Sequence, residues 1–323
     1  MVQLNANKTK IRLSSMTIVW VLIGMCIVMT LISPNFMTPL NIVTILRQFS
    51  MLGILAIGAT FVLVGGGIDL SVGSTMALTG VCAALIGRSE SIPLVVPILA
   101  AVLIGGAIGA ANGVGVAYAK IPAFIMTLGF MISGRGIALI LADGKPVFGL
   151  RDDFMSITTT TVFRIGDVAV PSLIFFFVAV FILSLFIINK TIYGKWVYGV
   201  GGNEMAARFS GINTKRIILS TYVINGLFAG LCGVLMASRI NSGDATVADG
   251  YALDAISAAV IGGISLSGGL GKAWKAVIGA FIIGVLQNGL QIIGLSPFVQ
   301  TIIQGVIIMV AVFFDQNMQR SNK

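Results

Sequence analysis

A chain that repeats apolar stretches of about 20 residues cannot hide them all in a water-soluble core; stretches of that length are what a bilayer-spanning helix needs. Segments 16–32, 42–66, 93–119, 123–142, 171–188, 217–237, 273–295 and 298–314 reach or approach it. Two shorter apolar segments, 74–87 and 252–266, lie between them. Counting both predicts an all-α polytopic membrane protein of about ten transmembrane helices, with eight to ten as the bounds. Composition agrees: 57% of residues are hydrophobic and 10% charged, where a soluble domain is nearer one quarter charged. The 40 glycines fit helices that approach one another closely in lipid. No soluble block or linker divides residues 1–323, which are read as one transmembrane domain.

The absence of histidine removes imidazole metal sites and histidine general bases. Cys26, Cys82 and Cys232 sit in apolar stretches without CxxC spacing and read as small core residues. Neither a cofactor nor a metal is expected.

The basic residues set the topology. The first segment follows Lys8, Lys10 and Arg12, as in a signal peptide, but Ser33-Pro34-Asn35-Phe36 offers no cleavage site, so an uncleaved first span is expected. Ten spans with the N-terminus inside put those three residues, Lys120, Lys190, Lys195, Arg208, Lys215, Arg216, Lys272, Lys275, Arg320 and Lys323 on the cytoplasmic side. The outer side receives Arg88, Lys145, Arg151, Arg164 and Arg239 with most of the acids. This is the positive-inside pattern, with both termini cytoplasmic. The net charge of +9 is therefore a topology signal and gives no reason to expect nucleic acid. An outer, periplasmic loop then spans 143–170, where the run from Thr158 to Val162 favours a strand or hairpin. A cytoplasmic loop spans 189–216.

One internal echo is strong. Gly66-Gly67-Ile68-Asp69-Leu70-Ser71-Val72-Gly73 matches Gly262-Gly263-Ile264-Ser265-Leu266-Ser267-Gly268-Gly269 at six of eight positions. A weaker one pairs Asn112-Gly113 with Asn288-Gly289. Paired glycines weaken a helix, and broken helices at membrane depth belong where backbone is buried in protein or lines a cavity. Short, interrupted segments at matching places point to a transport pathway, although close helix packing alone is the plainer reading. The topology runs both copies in the same direction. Asp69 is costly in lipid and needs a partner or cavity. It can cap segment 74–87, as can Ser71 or Ser74, or it can touch a solute. Arg135 can pair with an acid or reach the outer interface.

In the cytoplasmic loop Asn203 can cap a short helix with Glu204 in its first turn; Met205, Ala206, Phe209 and Ile212 are its apolar positions and Gly211 its stop. Such a helix lies on the membrane surface or docks a protein. The chain has no P-loop and no series of intramembrane acids for ion coupling: Asp69, Asp254 and Asp315 are the acids near the membrane interior. A transporter without a motor implies a partner that has one.

Those residues resemble the permease subunits of sugar-type bacterial ABC importers, the ribose and galactose permease family. The motifs are 67–74, Ile121-Pro122-Ala123-Phe124 through Gly129, Asp143 to Val147, Gly201 to Asn213, Ala237-Ser238-Arg239, Tyr251 to Ile256 and 262–269. Ala252 stands where the family commonly has Glu, and Ala123 where many members have Pro. The resemblance implies transport of a monosaccharide or related polyol across the inner membrane by alternating access. It implies cytoplasmic ABC ATPase subunits (two copies or a fused tandem), a second permease subunit expected as an identical copy, a periplasmic sugar-binding protein and surrounding lipid. ATP hydrolysis then belongs to the partner, and this chain is not an enzyme. The resemblance puts ATPase coupling on Gly202, Asn203, Glu204, Ala207 and Arg208. The substrate pathway is expected past Gly67, Asp69, Ser71, Asn112 and Phe124, and past Ser265, Ser267 and Asn288. The alternatives are an ABC permease for a non-sugar solute such as branched-chain amino acids, a self-sufficient secondary transporter or channel, and, least supported, a membrane enzyme.

Overall fold

The computed structural model describes residues 2–296, 298–306 and 309, with side chains described from Met16 onward. The side chains of Lys8, Lys10 and Arg12, and residues Asp315, Arg320 and Lys323, lie outside the described residues. In chain order the elements are α1 (Val2–Ile32), α2 (Pro39–Val64), α3 (Val72–Gly87), α4 (Val95–Ala117), α5 (Ala123–Leu141) and α6 (Asp152–Thr159). There follow β1 (Thr161–Ile165), β2 (Val168–Pro171), α7 (Leu173–Lys190), α8 (Ile192–Gly202), α9 (Glu204–Phe209), α10 (Thr214–Ile240), α11 (Tyr251–Ile261) and α12 (Ala273–Ile292). Residues 298–306 are helical. Among the described residues six helices (α2, α4, α5, α7, α10 and α12) are long and apolar enough to cross a membrane. Met16–Ile32 of α1, α3 and α11 are shorter apolar helices. The chain is thus a mostly helical membrane protein.

Local chemistry explains where the helices begin and end. Thr38 caps α2 by accepting the Asn41 N–H, and Pro39 follows at the position where a missing N–H costs nothing. Asn213 does the same for α10, which ends on Asn241 in the left-handed conformation. In the 143–170 loop, Arg151 donates to the carbonyls of Ser89 and Ile92 at 2.7 and 2.6 Å and pairs with Asp153, so the start of α6 is tied to the α3–α4 connection. The hydrogen bond from the Arg151 guanidinium holds the Asp153 carboxyl below the usual carboxylate range.

Two sequence expectations need correcting. Thr158 and Thr159 finish a helix, and only from Thr161 does the chain form the antiparallel β1–β2 hairpin, turning at Gly166 in the left-handed region. The 189–216 loop holds two helices, not one, because α8 precedes the helix that Asn203 caps.

The centre of the bundle is α2, with 72% of its most apolar window buried against 17% for α5, which lies on the periphery. Phe49, Ile54, Leu55, Ile57 and Phe61 of α2 pack with Met76, Phe177, Cys232 and Leu235 in the main core. Next to it α4 and α10 meet through glycines. A Cβ on Gly105 would lie 2.8 Å from the Gly230 Cα, and one on Gly113 would lie 2.8 Å from the Leu219 Cα. Apolar helices gain nothing from burial when the alternative is lipid, so close backbone contact supplies the attraction.

Candidate functional site

The two glycine motifs come together. α2 ends as Gly65 donates to the Phe61 carbonyl, Gly66 to Leu63 and Gly67 to Val62. α11 ends with the same set, Gly262 to Ala258, Gly263 to Val260 and Ile264 to Ala259. Gly66 and Gly263 carry the positive φ that such a stop requires, +83° and +80°. The helix stops therefore align Gly65 with Gly262, one residue off the sequence match, and the first copy holds an extra glycine before Asp69. Beyond the stop the turns agree again: Ser71 N donates to Asp69 Oδ1 at 2.9 Å and Ser267 N to Ser265 Oγ at 3.1 Å.

The motifs touch each other and the end of α8. Gly269 N donates to the Val64 carbonyl at 2.8 Å. A Cβ on Gly268 would sit 2.5 Å from the Gly201 oxygen and 2.8 Å from the Gly66 Cα, and one on Gly201 would run into the Val64 oxygen. The Tyr198 hydroxyl donates to the Gly271 carbonyl at 2.8 Å. Because α2 and α11 pack side by side, with Leu63 and Val64 against Ala259, and both end at this junction, from which α3 and α12 leave, the two copies run in the same sense.

Asp69 is buried beside the junction. Its Oδ1 accepts from Ser71 N and, at 2.6 Å, from Ser71 Oγ; its Oδ2 accepts from Asn225 Nδ2 at 2.9 Å. Asn112 Nδ2 donates to Ser71 Oγ at 2.8 Å, so one polar chain joins α3, α4 and α10. Gly67 lies under the hydroxyl of the fully buried Tyr222, which donates to the Ile68 carbonyl at 3.2 Å. Asp69 thus braces the turn that leads into α3 and does not cap the helix: Ser71 holds the cap position, and among the described residues no side chain accepts an N–H of the first turn of α3. Gly67, Asp69, Ser71 and Asn112 form one cluster, with buried Ser265 and exposed Ser267 in the adjoining motif.

Two predicted pathway residues lie elsewhere. Asn288 is buried toward the other end of α12, exchanging two hydrogen bonds with Asn41 at 3.0 and 2.9 Å, so the Asn112–Asn288 echo has no spatial counterpart. Phe124 is 54% exposed at the start of α5. Arg135 takes the paired option, meeting Asp249 at 2.9 Å. That pair stands over a cavity of about 520 Å³ between α3, α5 and the segment before α11, lined by Leu70, Ser74, Ala77, Met131 and Ala252.

The helix read from Asn203 is α9. Asn203 Oδ1 accepts the Ala206 N–H at 2.9 Å, and Gly211, at φ +83°, stops it. Glu204 Oε1 accepts from Thr214 Oγ1 at 3.2 Å and lies 3.5 Å from Lys120 Nζ. Ala207 packs inward while Met205 and Phe209 are 70% and 87% exposed. Gly202 and Arg208 are exposed on the same segment. Sequence reasoning missed Tyr222 and Asn225; the one signal was an asparagine inside an otherwise apolar span. Among the described residues no group of three or more His, Cys, Asp or Glu side chains can hold a metal ion.

Residues 41–312 match the family described as the branched-chain amino acid transport system / permease component. The chain is 40% identical over 307 residues to the ribose import permease protein of Escherichia coli (strain K12), covering 94% of each chain. It is 38% identical to the ribose import permease protein of Bacillus subtilis (strain 168), covering 90% of this chain and 89% of that one. It is 36% identical to the L-arabinose transport system permease protein of E. coli (strain K12), covering 90% and 87%. No solved structure matches. An integral membrane architecture, helix breaks that meet at one point and similarity along nearly the whole length agree, and the chain belongs to the sugar-type permeases of bacterial ABC importers, as a membrane permease component.

Proposed function

We propose that this chain carries a monosaccharide or closely related polyol across the bacterial inner membrane, as half of a permease pair driven by two cytoplasmic ATPases and fed by a periplasmic sugar-binding protein. The relatives named for ribose and L-arabinose support the substrate class over a branched-chain amino acid. Residues 1–323 act as one transmembrane domain of about ten spans. Met16–Ile32, α3, α11 and the helix from residue 298 complete the six long helices, and both termini face the cytoplasm. An identical copy supplies the second permease, and the peripheral face of α5 offers it a surface.

The observation that carries this reading is the position of α9. Its exposed Met205 and Phe209 form an apolar projection on a polar end, the shape of a docking element. Behind it, Gly201 touches both glycine motifs and Gly202 the second. A push on α9 by a closing ATPase therefore reaches both motifs at once and can reorient α3 and α12 together. Gly202, Asn203, Glu204, Ala207 and Arg208 form the coupling segment. Gly67, Asp69, Ser71 and Asn112 set the geometry of the first break and Ser265 and Ser267 that of the second, while Phe124 stands on α5 beside the moving α3 and Asn288 rides on α12 itself. Such rocking alternates access to a site between elements and needs no energy source in this chain.

Uptake of radiolabelled sugars into vesicles holding the cognate ATPase and binding protein tests this. We expect uptake to need ATP and to fall at least about tenfold when Glu204→Ala and Arg208→Ala are combined, the scale of a lost charge-assisted contact or two. Uptake indifferent to ATP and to both changes would replace this reading with a self-sufficient transporter.

A further inference from the structure

The chain has five glutamines between residues 4 and 315, namely Gln48, Gln287, Gln291, Gln300 and Gln304, and all five line one cavity. The cavity measures about 560 Å³, within the range of small-molecule sites. It lies between α2, α11, α12 and the 298–306 helix, toward the end of the bundle away from the glycine junction. Asp254, Tyr251 and Arg239 complete its polar lining, and Leu52 and Leu295 contribute apolar wall. So many polar side chains gathered between apolar helices suit the path of a polar solute.

The amides are not used up on each other. Gln48 Nε2 reaches Gln291 Oε1 at 3.3 Å and Gln287 Nε2 reaches Gln304 Oε1 at 3.5 Å, both near the limit for a hydrogen bond. Gln304 donates to Asp254, and the buried Gln48 Oε1 has no partner among the described residues. Each primary amide offers two donors and a carbonyl with two lone pairs, so much capacity stays open. A ring of neutral donors and acceptors with one carboxylate suits a ligand whose surface alternates O–H donors and oxygen acceptors. It suits an aliphatic side chain poorly.

We propose that this glutamine cavity is the transient binding site for an uncharged polyhydroxylated solute of monosaccharide size within the membrane. The site rests on the sugar-permease reading above and names the residues that would hold the solute. Loose amide pairs give way to solute hydroxyls without leaving a group unpaired, so binding is weak and exchange fast, as a carrier handing its solute onward requires.

The test uses the full chain in its importer complex, with whichever of D-ribose and L-arabinose the wild-type complex accumulates. Combining Gln287→Met and Gln291→Met, which keep side-chain length and remove the amides, is expected to cut uptake about tenfold. ATP hydrolysis stimulated by the binding protein should stay within about twofold, because the coupling segment is untouched. In parallel, Gln291→Cys is labelled with a small polar thiol reagent, with the wild type as baseline for Cys26, Cys82 and Cys232. Excess sugar should slow that labelling about threefold, and this arm decides even if the double variant fails to fold. Uptake unchanged in a folded double variant, labelling indifferent to sugar, or labelling slowed by L-leucine alone would each overturn the proposal. A wild-type complex that accumulates neither sugar would count against the sugar reading itself, and the labelling arm would still report on the cavity.

Discussion

The carboxylate of Asp69 accepts three hydrogen bonds, two from Ser71 and one from Asn225, all inside the protein. Those partners make it a tie between helices. Asp69→Ala would strand the Asn225 amide, whose oxygen already lacks a partner among the described residues, and would free the start of α3. With each bond in a membrane interior contributing about 0.6–1.7 kcal/mol, we expect the detergent-solubilised chain to lose about 2–4 kcal/mol, read as a lower thermal midpoint. Asp69→Asn keeps an acceptor for Ser71 and should cost less. A melting curve unmoved by Asp69→Ala, with uptake lost, would transfer Asp69 from scaffold to solute contact. The sequence shows that Asp69 needs a partner, because a bare carboxylate in lipid is expensive. It does not show which partner, since Asn225 lies 156 positions away and polar pairing across a bundle leaves no periodic trace. The glutamines escaped for the same reason: each looks incidental in its own helix, and only the fold brings the five together.

Helix ends were the most legible elements, because their chemistry is local. Asn203 before Glu204, Gly211 after the short helix and the glycine pair after Ile261 act where the sequence puts them, and the first glycine stop falls one residue early, at Gly65-Gly66. α8 was not legible. Its Ile192–Gly202 sequence carries four glycines and reads as loop, yet those glycines let the helix lie against the Ile188 and Val64 backbones. Helical propensity is a weak prior that close packing overrides. The Thr158–Thr161 run misled in the other direction, as the acids at Asp152 and Asp153 favour a helix N-terminus and the helix runs on into the threonines. The α4–α10 contact supplies the test at this scale. A side chain on Gly105 meets Gly226 and Gly230 backbone that cannot move aside. Gly105→Leu should force the helices apart, cost about 3 kcal/mol or more, and shift the solubilised protein toward aggregates in size-exclusion chromatography. Gly24→Leu, where nothing lies within 4 Å, should leave the elution profile unchanged. Equal behaviour of the two would show that the α4–α10 approach is slack.

Across the whole molecule, the arrangement that gives the repeat its meaning is the three-way meeting of Gly66, Gly201 and Gly268. Periodicity could locate each glycine and the docking helix separately, but not their contact, which joins parts of the chain about 65 to 200 residues apart. The relay proposed above runs through that contact, and a relay has a testable weak link. Substituting the glycines would wreck the junction, so the informative change is gentler. Tyr198 on α8 donates to the Gly271 carbonyl after the second break, and Tyr198→Phe removes that one bond while keeping the ring. The fold should lose only about 1 kcal/mol, leaving expression and melting near wild type. ATPase closure would then move α8 without drawing the second motif fully along. The complex should hydrolyse more ATP for each sugar imported, a ratio obtained by measuring both in the same proteoliposomes. The glycine contacts and the Gly269–Val64 bond remain, so partial slippage is expected and not complete uncoupling. An unchanged ratio in a well-folded Tyr198→Phe complex would mean that backbone contact alone transmits the stroke.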